Sequence, residues 1–83
     1  MSWFVYIVEC SNRSLYTGIT NNIERRLKKH NSGKGGYYTR SFSPVKLLWT
    51  EQQPNKSFAL KREAQIKSWD RTKKQALLTN SIF

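Results

Sequence analysis

Apolar side chains along this chain come in short dense runs, separated by polar and strongly basic stretches. The first run, Trp3-Phe4-Val5-Tyr6-Ile7-Val8, is aromatic or β-branched at every position and stops at Glu9. Such a run predicts a strand buried on both faces, with Tyr6 on the same face as Phe4 and Val8. Ser11-Asn12-Arg13-Ser14 is a polar turn, and Leu15-Tyr16-Thr17 returns as a short second strand, so the pair is expected to form a hairpin. That hairpin brings Tyr6 and Tyr16 within reach across the sheet, although pattern alone does not set the register. Gly18 is expected to close the second strand.

The period then changes from strand to helix. Asn21 with Glu24 three residues on has the form of a capping box, and the helix is expected from about Asn22 to Asn31, ending before Gly33. At about 100° per residue, Ile23, Leu27 and His30 share one stripe, with Arg26 on its edge and Arg25, Lys28 and Lys29 elsewhere. Ser32-Gly33-Lys34-Gly35-Gly36 is a basic, glycine-rich loop leading to Tyr37-Tyr38-Thr39-Arg40. Pro44 opens a third strand, Val45 to Thr50, which ends in polar Glu51-Gln52-Gln53. Pro54-Asn55-Lys56-Ser57 starts a helix expected from about Phe58 to Ser68. Trp69-Asp70 breaks it, and Asp70 can cap a last helix from Arg71 to about Thr79. The order is β-β-α-β-α-α, an α+β arrangement with no internal repeat.

Length and charge narrow the partners. Eighty-three residues suffice for one domain, spanning 1–83, with one modest core. Fifteen Lys and Arg against five Asp and Glu leave a formal charge of +10, which favours a polyanion such as nucleic acid over an anionic membrane surface. A solvated, solubilising face is the plain alternative. Cys10 is the only cysteine and His30 the only histidine, so an intrachain disulfide and the Cys-rich zinc patterns are excluded. The first apolar run is too short for a signal h-region and lacks a basic n-region, and nothing approaches a transmembrane span. A reducing, cytoplasmic setting is expected.

Glu63 is the most informative acid. It falls inside the apolar stripe made by Ala59, Leu60 and Ile66, where a carboxylate must be paired, protonated or bound to a metal. Two readings stand: an ion pair with Arg26, or a functional carboxylate at a cleft. Arg26 can be a solvated helix charge or a bidentate phosphate clamp. His30 can be a satisfied core histidine, a proton carrier or a donor to a phosphate oxygen. Tyr6 and Tyr16 can be core aromatics, or phenols activated by neighbouring positive charge. Gly18 can be a plain turn, or a place where backbone approaches a phosphate. Arg25, Lys29, Lys34 and Arg40 supply candidate backbone contacts, and Tyr38 is a candidate for stacking on a base. Paired acids on one helix face, a Ser or Cys triad and a P-loop are all missing.

Taken together these residues resemble the GIY-YIG nuclease domain, in particular its small stand-alone bacterial branch, grouped as an uncharacterised protein family. The likeness is carried by Tyr6-Ile7-Val8 followed by Tyr16-Thr17-Gly18, by Ile19 through Asn31, and by Gly33 through Arg40, Pro44 to Leu47 and Ala59 to Lys67. It covers nearly the whole chain. The resemblance implies a small three-stranded antiparallel sheet flanked by helices. It assigns the two motif tyrosines to Tyr6 and Tyr16, the helix arginine to Arg26, the following histidine to His30 and the metal-binding glutamate to Glu63. It implies one divalent cation, Mg²⁺ or Mn²⁺, on Glu63, with water activated through Tyr6 or the metal and charge on the phosphate oxygens stabilised by Arg26. The first motif reads Phe4-Val5-Tyr6 where the name-giving version has Gly-Ile-Tyr, and the asparagine that several members place after the glutamate has only Asn80 as a counterpart.

The expected function is metal-dependent endonuclease-like hydrolysis of phosphodiester bonds, on DNA before RNA, by a monomer. The rivals are a catalytically weak or inactive nucleic-acid-binding protein, and an accessory nuclease subunit with a protein partner, which an exposed apolar patch would suggest.

Overall fold

Strand β1 (Trp3–Glu9) is the centre of the molecule, hydrogen-bonded antiparallel to β2 (Leu15–Thr20) on one side and to β3 (Lys46–Gln53) on the other. The computed structural model describes residues 2–31 and 44–79. Helix α1 (Ile23–Asn31) follows β2, and α2 (Lys56–Lys67) and α3 (Arg71–Thr79) follow β3. This is the expected α+β order, β-β-α-β-α-α, around a three-stranded antiparallel sheet.

The unbroken apolar run of β1 is explained by its place. As the middle strand it is covered on both faces, and alternation sends its side chains to two separate clusters. Val5 and Ile7 pack with Trp49 and with Ala59 and Ile66 of α2, while Trp69 and Leu77 and Leu78 of α3 close around them. Tyr6 and Val8 pack with Cys10 and Val45 on the other face, bordered by Tyr16, Leu47 and Ile23 and Leu27 of α1. One face therefore carries α1 and the other carries α2 and α3. Full burial of each such aliphatic side chain stabilises the fold by about 1.5–3 kcal/mol.

The hairpin turn is tighter than its composition suggests. Arg13 adopts φ 72°, a left-handed conformation uncommon outside glycine. Cys10 N–H donates to the Ser14 carbonyl at 2.9 Å, and the Asn12 side chain accepts from both the N–H and the hydroxyl of Ser14.

Four boundaries differ from expectation. Strand β2 does not stop at Gly18 but runs on to Thr20, because Gly18 pairs with Tyr6 inside the ladder. The helix cap is Asn22, not Asn21: Asn22 Oδ1 accepts the Arg25 N–H at 2.9 Å, so Glu24 falls out of capping-box position. Thr20 causes this shift, since its hydroxyl accepts from Asn22 N–H at 3.1 Å and donates to the Asn22 carbonyl at 3.2 Å, holding Asn21 in the turn. Strand β3 begins at Lys46 and continues through polar Glu51, Gln52 and Gln53, whose side chains are engaged. Arg62 and Gln53 both donate to Glu51, and Gln52 donates to Ser2.

Helix α2 starts two residues earlier than expected, capped by Asn55, whose Oδ1 accepts the Phe58 N–H at 3.0 Å. Helix α3 is capped by Asp70, as expected. Trp49 is buried, and Trp3 and Trp69 are half-buried against the α2 side of the sheet.

Gly18 is required by packing rather than by turn geometry. A Cβ there would stand 2.5 Å from the Tyr6 phenol oxygen and 2.7 Å from its Cζ, closer than van der Waals contact permits. Gly18→Ala is expected to cost about 1–3 kcal/mol through overpacking. Thermal melting followed by circular dichroism should show a Tm several degrees lower. An unchanged Tm would mean that the Tyr6 ring yields at no cost.

Candidate active site

Register places the candidate residues together. Tyr6 and Gly18 are opposite one another, as are Val8 and Tyr16, so both tyrosines project from the α1 face of the sheet. Helix α1 adds Arg26 and, one turn on, His30 from its sheet-facing side. The three rings form a cluster, with centroids 6.4 Å apart for Tyr6 and Tyr16, 5.9 Å for Tyr6 and His30, and 5.6 Å for Tyr16 and His30.

Tyr6 is the meeting point. Its hydroxyl lies 3.0 Å from His30 Nε2 and accepts a bond from Arg26 Nε at 3.3 Å. A guanidinium can only donate, so the phenol keeps its own proton to give, and the Nδ1–H tautomer of His30 can take it at Nε2. Burial pushes the Tyr6 pKa above its ordinary value, against the opposing effect of the Arg26 bond, with the charges of Tyr16 and Glu63 adding to the rise. The bond to Tyr6 raises the Arg26 pKa further, so that side chain stays cationic. Burial, then the Arg26 charge, lowers the His30 pKa. The resting state is thus a neutral phenol, a neutral imidazole and one guanidinium.

Beside this group a cleft of about 260 Å³ is lined by Thr20, Arg25, Arg26 and Lys29. Arg25 and Lys29 are exposed, and Arg25 Nη2 also donates to Asn21 Oδ1 at 3.1 Å. The cleft suits an anion: among the described residues its lining has three cationic side chains and no acid.

Glu63 comes from α2, on the other layer, yet its charge is felt at Tyr6. Its side chain is 19% exposed and its Oε2 lies 3.5 Å from Lys67 Nζ, one turn along the helix. The ion pair with Arg26 that the sequence allowed is not the one formed. The apolar stripe is also rotated from expectation, since Ala59 and Ile66 are buried but Leu60 is 46% exposed. Glu63 therefore sits at the margin of the buried face. Among the described residues no three His, Cys, Asp or Glu side chains gather closely enough to hold a metal.

Tyr6, Tyr16, Arg26 and His30 are thus brought into one cluster, Arg25 and Lys29 line the adjoining cleft, and Gly18 lies under the Tyr6 ring. Lys34, Tyr38, Arg40 and Asn80 lie outside the described residues. Sequence reasoning missed Thr20 and Lys67. Thr20 with Asn22 two residues on is a recognisable hydroxyl turn, and Glu63 with Lys67 has the i, i+4 spacing of a helix ion pair.

A three-stranded antiparallel sheet that sets a tyrosine pair against a helix arginine and histidine defines a class, and the comparisons agree with it. The family model described as the GIY-YIG catalytic domain matches residues 2–76, and the chain belongs to that family. A UPF0213 protein of Haloquadratum walsbyi is 54% identical over 74 residues, 89% of this chain and 83% of the relative. A UPF0213 protein of Syntrophus aciditrophicus is 55% identical over 76 residues, covering 90% and 87%. Relatives occur in archaea as well as bacteria, so the branch is wider than the bacterial one that the sequence resembles. Among solved structures, the solution NMR structure of a UPF0213 protein from Bacillus halodurans aligns with TM-score 0.62 at 44% identity, over 95% of this chain and 84% of that one. A protein from E. faecalis aligns with TM-score 0.63 at 40% identity, over 95% and 85%. No described helix is long and apolar enough to cross a membrane.

The buried histidine makes a prediction about pH. Its folded pKa lies below the ordinary value near 6.5, so the unfolded chain takes up the proton more readily. Its contribution to stability is present above that value and is lost as pH falls through 6.5 and below. Urea midpoints measured from pH 7.5 to 5 should fall for the native chain and fall less for His30→Gln. Because His30 is the only histidine, equal slopes in the two proteins would rule it out as the source.

Proposed function

We propose that the Arg25, Arg26 and Lys29 cleft binds a nucleic-acid backbone, DNA before RNA, and that the adjoining residues hydrolyse a phosphodiester bond within it. The observation that carries this reading is the Tyr6 hydroxyl, which accepts from Arg26 and is hydrogen-bonded to His30 beside a cleft lined with cations.

The proton path follows from the resting state. Tyr6 is a poor base while it keeps its proton, and burial strengthens its hold. As a water molecule attacks phosphorus, Tyr6 Oη takes a proton from that water and passes its own to His30 Nε2, which is neutral and able to receive it. The P–O bond to the leaving oxygen breaks on the opposite side, and that oxygen is protonated from solvent. Arg26 meets the charge that builds on the non-bridging oxygens, an electrostatic effect worth several kcal/mol in partly dehydrated sites. Tyr16, in ring contact with both Tyr6 and His30, orients the pair.

Glu63 fits the single divalent cation that the family uses. A lone carboxylate, completed by phosphate oxygens and water, is an ordinary Mg²⁺ arrangement. Its Lys67 partner is 51% exposed and sits on a flexible stem, so the ammonium can turn to solvent and leave the carboxylate to a cation. When bound, Mg²⁺ or Mn²⁺ would neutralise charge on the scissile phosphate.

A second reading has its own support. With one carboxylate, already in contact with an ammonium, and with similar proteins whose names state no activity, a nucleic-acid-binding protein of weak or no catalysis fits the same cleft.

Cleavage of a labelled panel of linear, nicked, flapped and branched DNA and structured RNA, with Mg²⁺ or Mn²⁺, separates the two. Glu63→Ala is expected to lower cleavage about 100-fold or more and to change binding by less than about threefold. Lys67→Ala should leave cleavage intact or raise it. Tight binding without cleavage, the same in native protein and Glu63→Ala, would leave only the binding reading.

A further inference from the structure

The side of α2 turned away from Glu63 carries a surface that the cleft does not use. Phe58, Lys61, Arg62 and Gln65 lie roughly 100–200° around the helix from Glu63. The surface continues onto the break before α3. Lys61 Nζ sits 5.5 Å above the Phe58 ring, and Arg62, bonded to Gln65 at 2.7 Å, holds its guanidinium 5.3 Å above Trp69. Lys73 Nζ covers the same Trp69 ring at 5.0 Å. Because α2 packs on the Val5 and Ile7 face, this surface is on the opposite side of the sheet from α1.

We propose that Phe58, Lys61, Arg62, Trp69 and Lys73 form a second binding surface for single-stranded nucleic acid, separate from the cleft. The proposal rests on the reading above only in taking nucleic acid as the ligand.

Three observations carry it. Phe58 is 52% exposed, in a chain whose other described aromatics are buried or half-buried, so its ring is available to stack. The lysines of this surface, unlike Arg62, have no acid against them among the described residues. Glu51 already engages Arg62 and Asp70 caps α3, while Lys61, Lys73 and neighbouring Lys56 and Lys74 have no carboxylate partner among the described residues. Their mutual repulsion is relieved by a polyanion. Finally, rings alternate with cations, the combination that binds a strand without regard to sequence: bases stack on the rings and phosphates meet the ammonium groups. A duplex hides its base faces and could use only the cations. A membrane surface would need a continuous apolar face, whereas Phe58 is flanked here by Lys56 and Lys61.

The test is anisotropy titration of a labelled oligothymidylate of about 12 nucleotides against the full chain. Native protein is compared with Phe58→Ala, with Lys61→Gln/Lys73→Gln and with the cleft variant Arg25→Ala/Lys29→Ala. Phe58→Ala should weaken oligothymidylate binding at least about fivefold, the lower end of losing one base stack, with blunt-duplex binding changed less than about twofold. The lysine double variant should lower the salt slope by about 1–1.5, the release of two phosphate contacts. Since Phe58 is exposed, its variant should melt as the native chain does. Unaltered oligothymidylate binding by Phe58→Ala would overturn the proposal. So would equally tight binding of a base-free phosphodiester of the same length, or displacement by polyglutamate at equal charge, which would indicate an acidic protein partner. Cleavage assayed on the same preparations keeps the two readings apart. A chain that never cleaves but responds at Phe58 retains this surface and loses the nuclease reading, and one that cleaves but is indifferent at Phe58 does the reverse.

Discussion

The fold depends on burying the Tyr6 ring with its hydroxyl still in use. Tyr6 is 1% exposed, and a phenol oxygen at that depth must be hydrogen-bonded or cost about 1–3 kcal/mol. Two residues of one helix, Arg26 and His30, supply the bonds, while the absence of a side chain at Gly18 supplies the room. These demands fix the geometry around them. Helix α1 must cross the face of β1 and β2 so that its arginine and histidine straddle one oxygen. Gly18 must pair with Tyr6 and no other residue, because a one-residue slip would turn the tyrosine to the α2 face. The cap at Asn22, held by Thr20, sets the rotation of α1 from which Arg26 and His30 project.

This arrangement divides the two faces of β1 by role. The Val5 and Ile7 face is apolar, with aliphatic side chains and tryptophans, and packs α2 and α3. The Tyr6 face is smaller and half polar, which is costly in a chain of this size. A buried network of that kind is tolerable only when every member is satisfied. Positive charge follows the same division: α1 offers Arg25 and Lys29 to the cleft, and α2 and α3 offer Lys61 and Lys73 on the far side. With fifteen Lys and Arg against five Asp and Glu, the chain as a whole cannot balance its cations with its own acids.

Much of this was legible in the chain, and what was not has identifiable causes. The buried strand showed itself because six consecutive apolar positions leave no polar face, and the α1 stripe of Ile23, Leu27 and His30 with Arg26 at its edge is the stripe observed. The end of β2 was misread because glycine normally punctuates a strand, whereas here it makes space for a ring on the neighbouring strand, a tertiary demand invisible to local pattern. The polar end of β3 was misread for a similar reason. Glu51 through Gln53 carry no apolar alternation, and they stay in the sheet because Arg62 and Ser2, distant in sequence, satisfy them. At Glu63 periodicity left an ion pair with Arg26 open, whereas the contact formed is with Lys67. A helical wheel cannot tell a stripe's centre from its margin, and the exposure of Leu60 rotates the buried face away from the glutamate.

The margin position of Glu63 has a chemical consequence. A carboxylate at the centre of the stripe would need an internal arginine and could not release it without leaving a buried charge, a loss of several kcal/mol. At the margin, its partner is a half-exposed lysine, which can turn to solvent without leaving a cation buried. The chain thus keeps its arginine for Tyr6 and pairs its carboxylate with a lysine on a flexible stem. Reversing them would bury the carboxylate beyond reach of a cation and leave the phenol without the charge that opposes its raised pKa. The hydrogen-bonding needs of a buried tyrosine and the cation binding proposed for the carboxylate would therefore call for the same placement of residues.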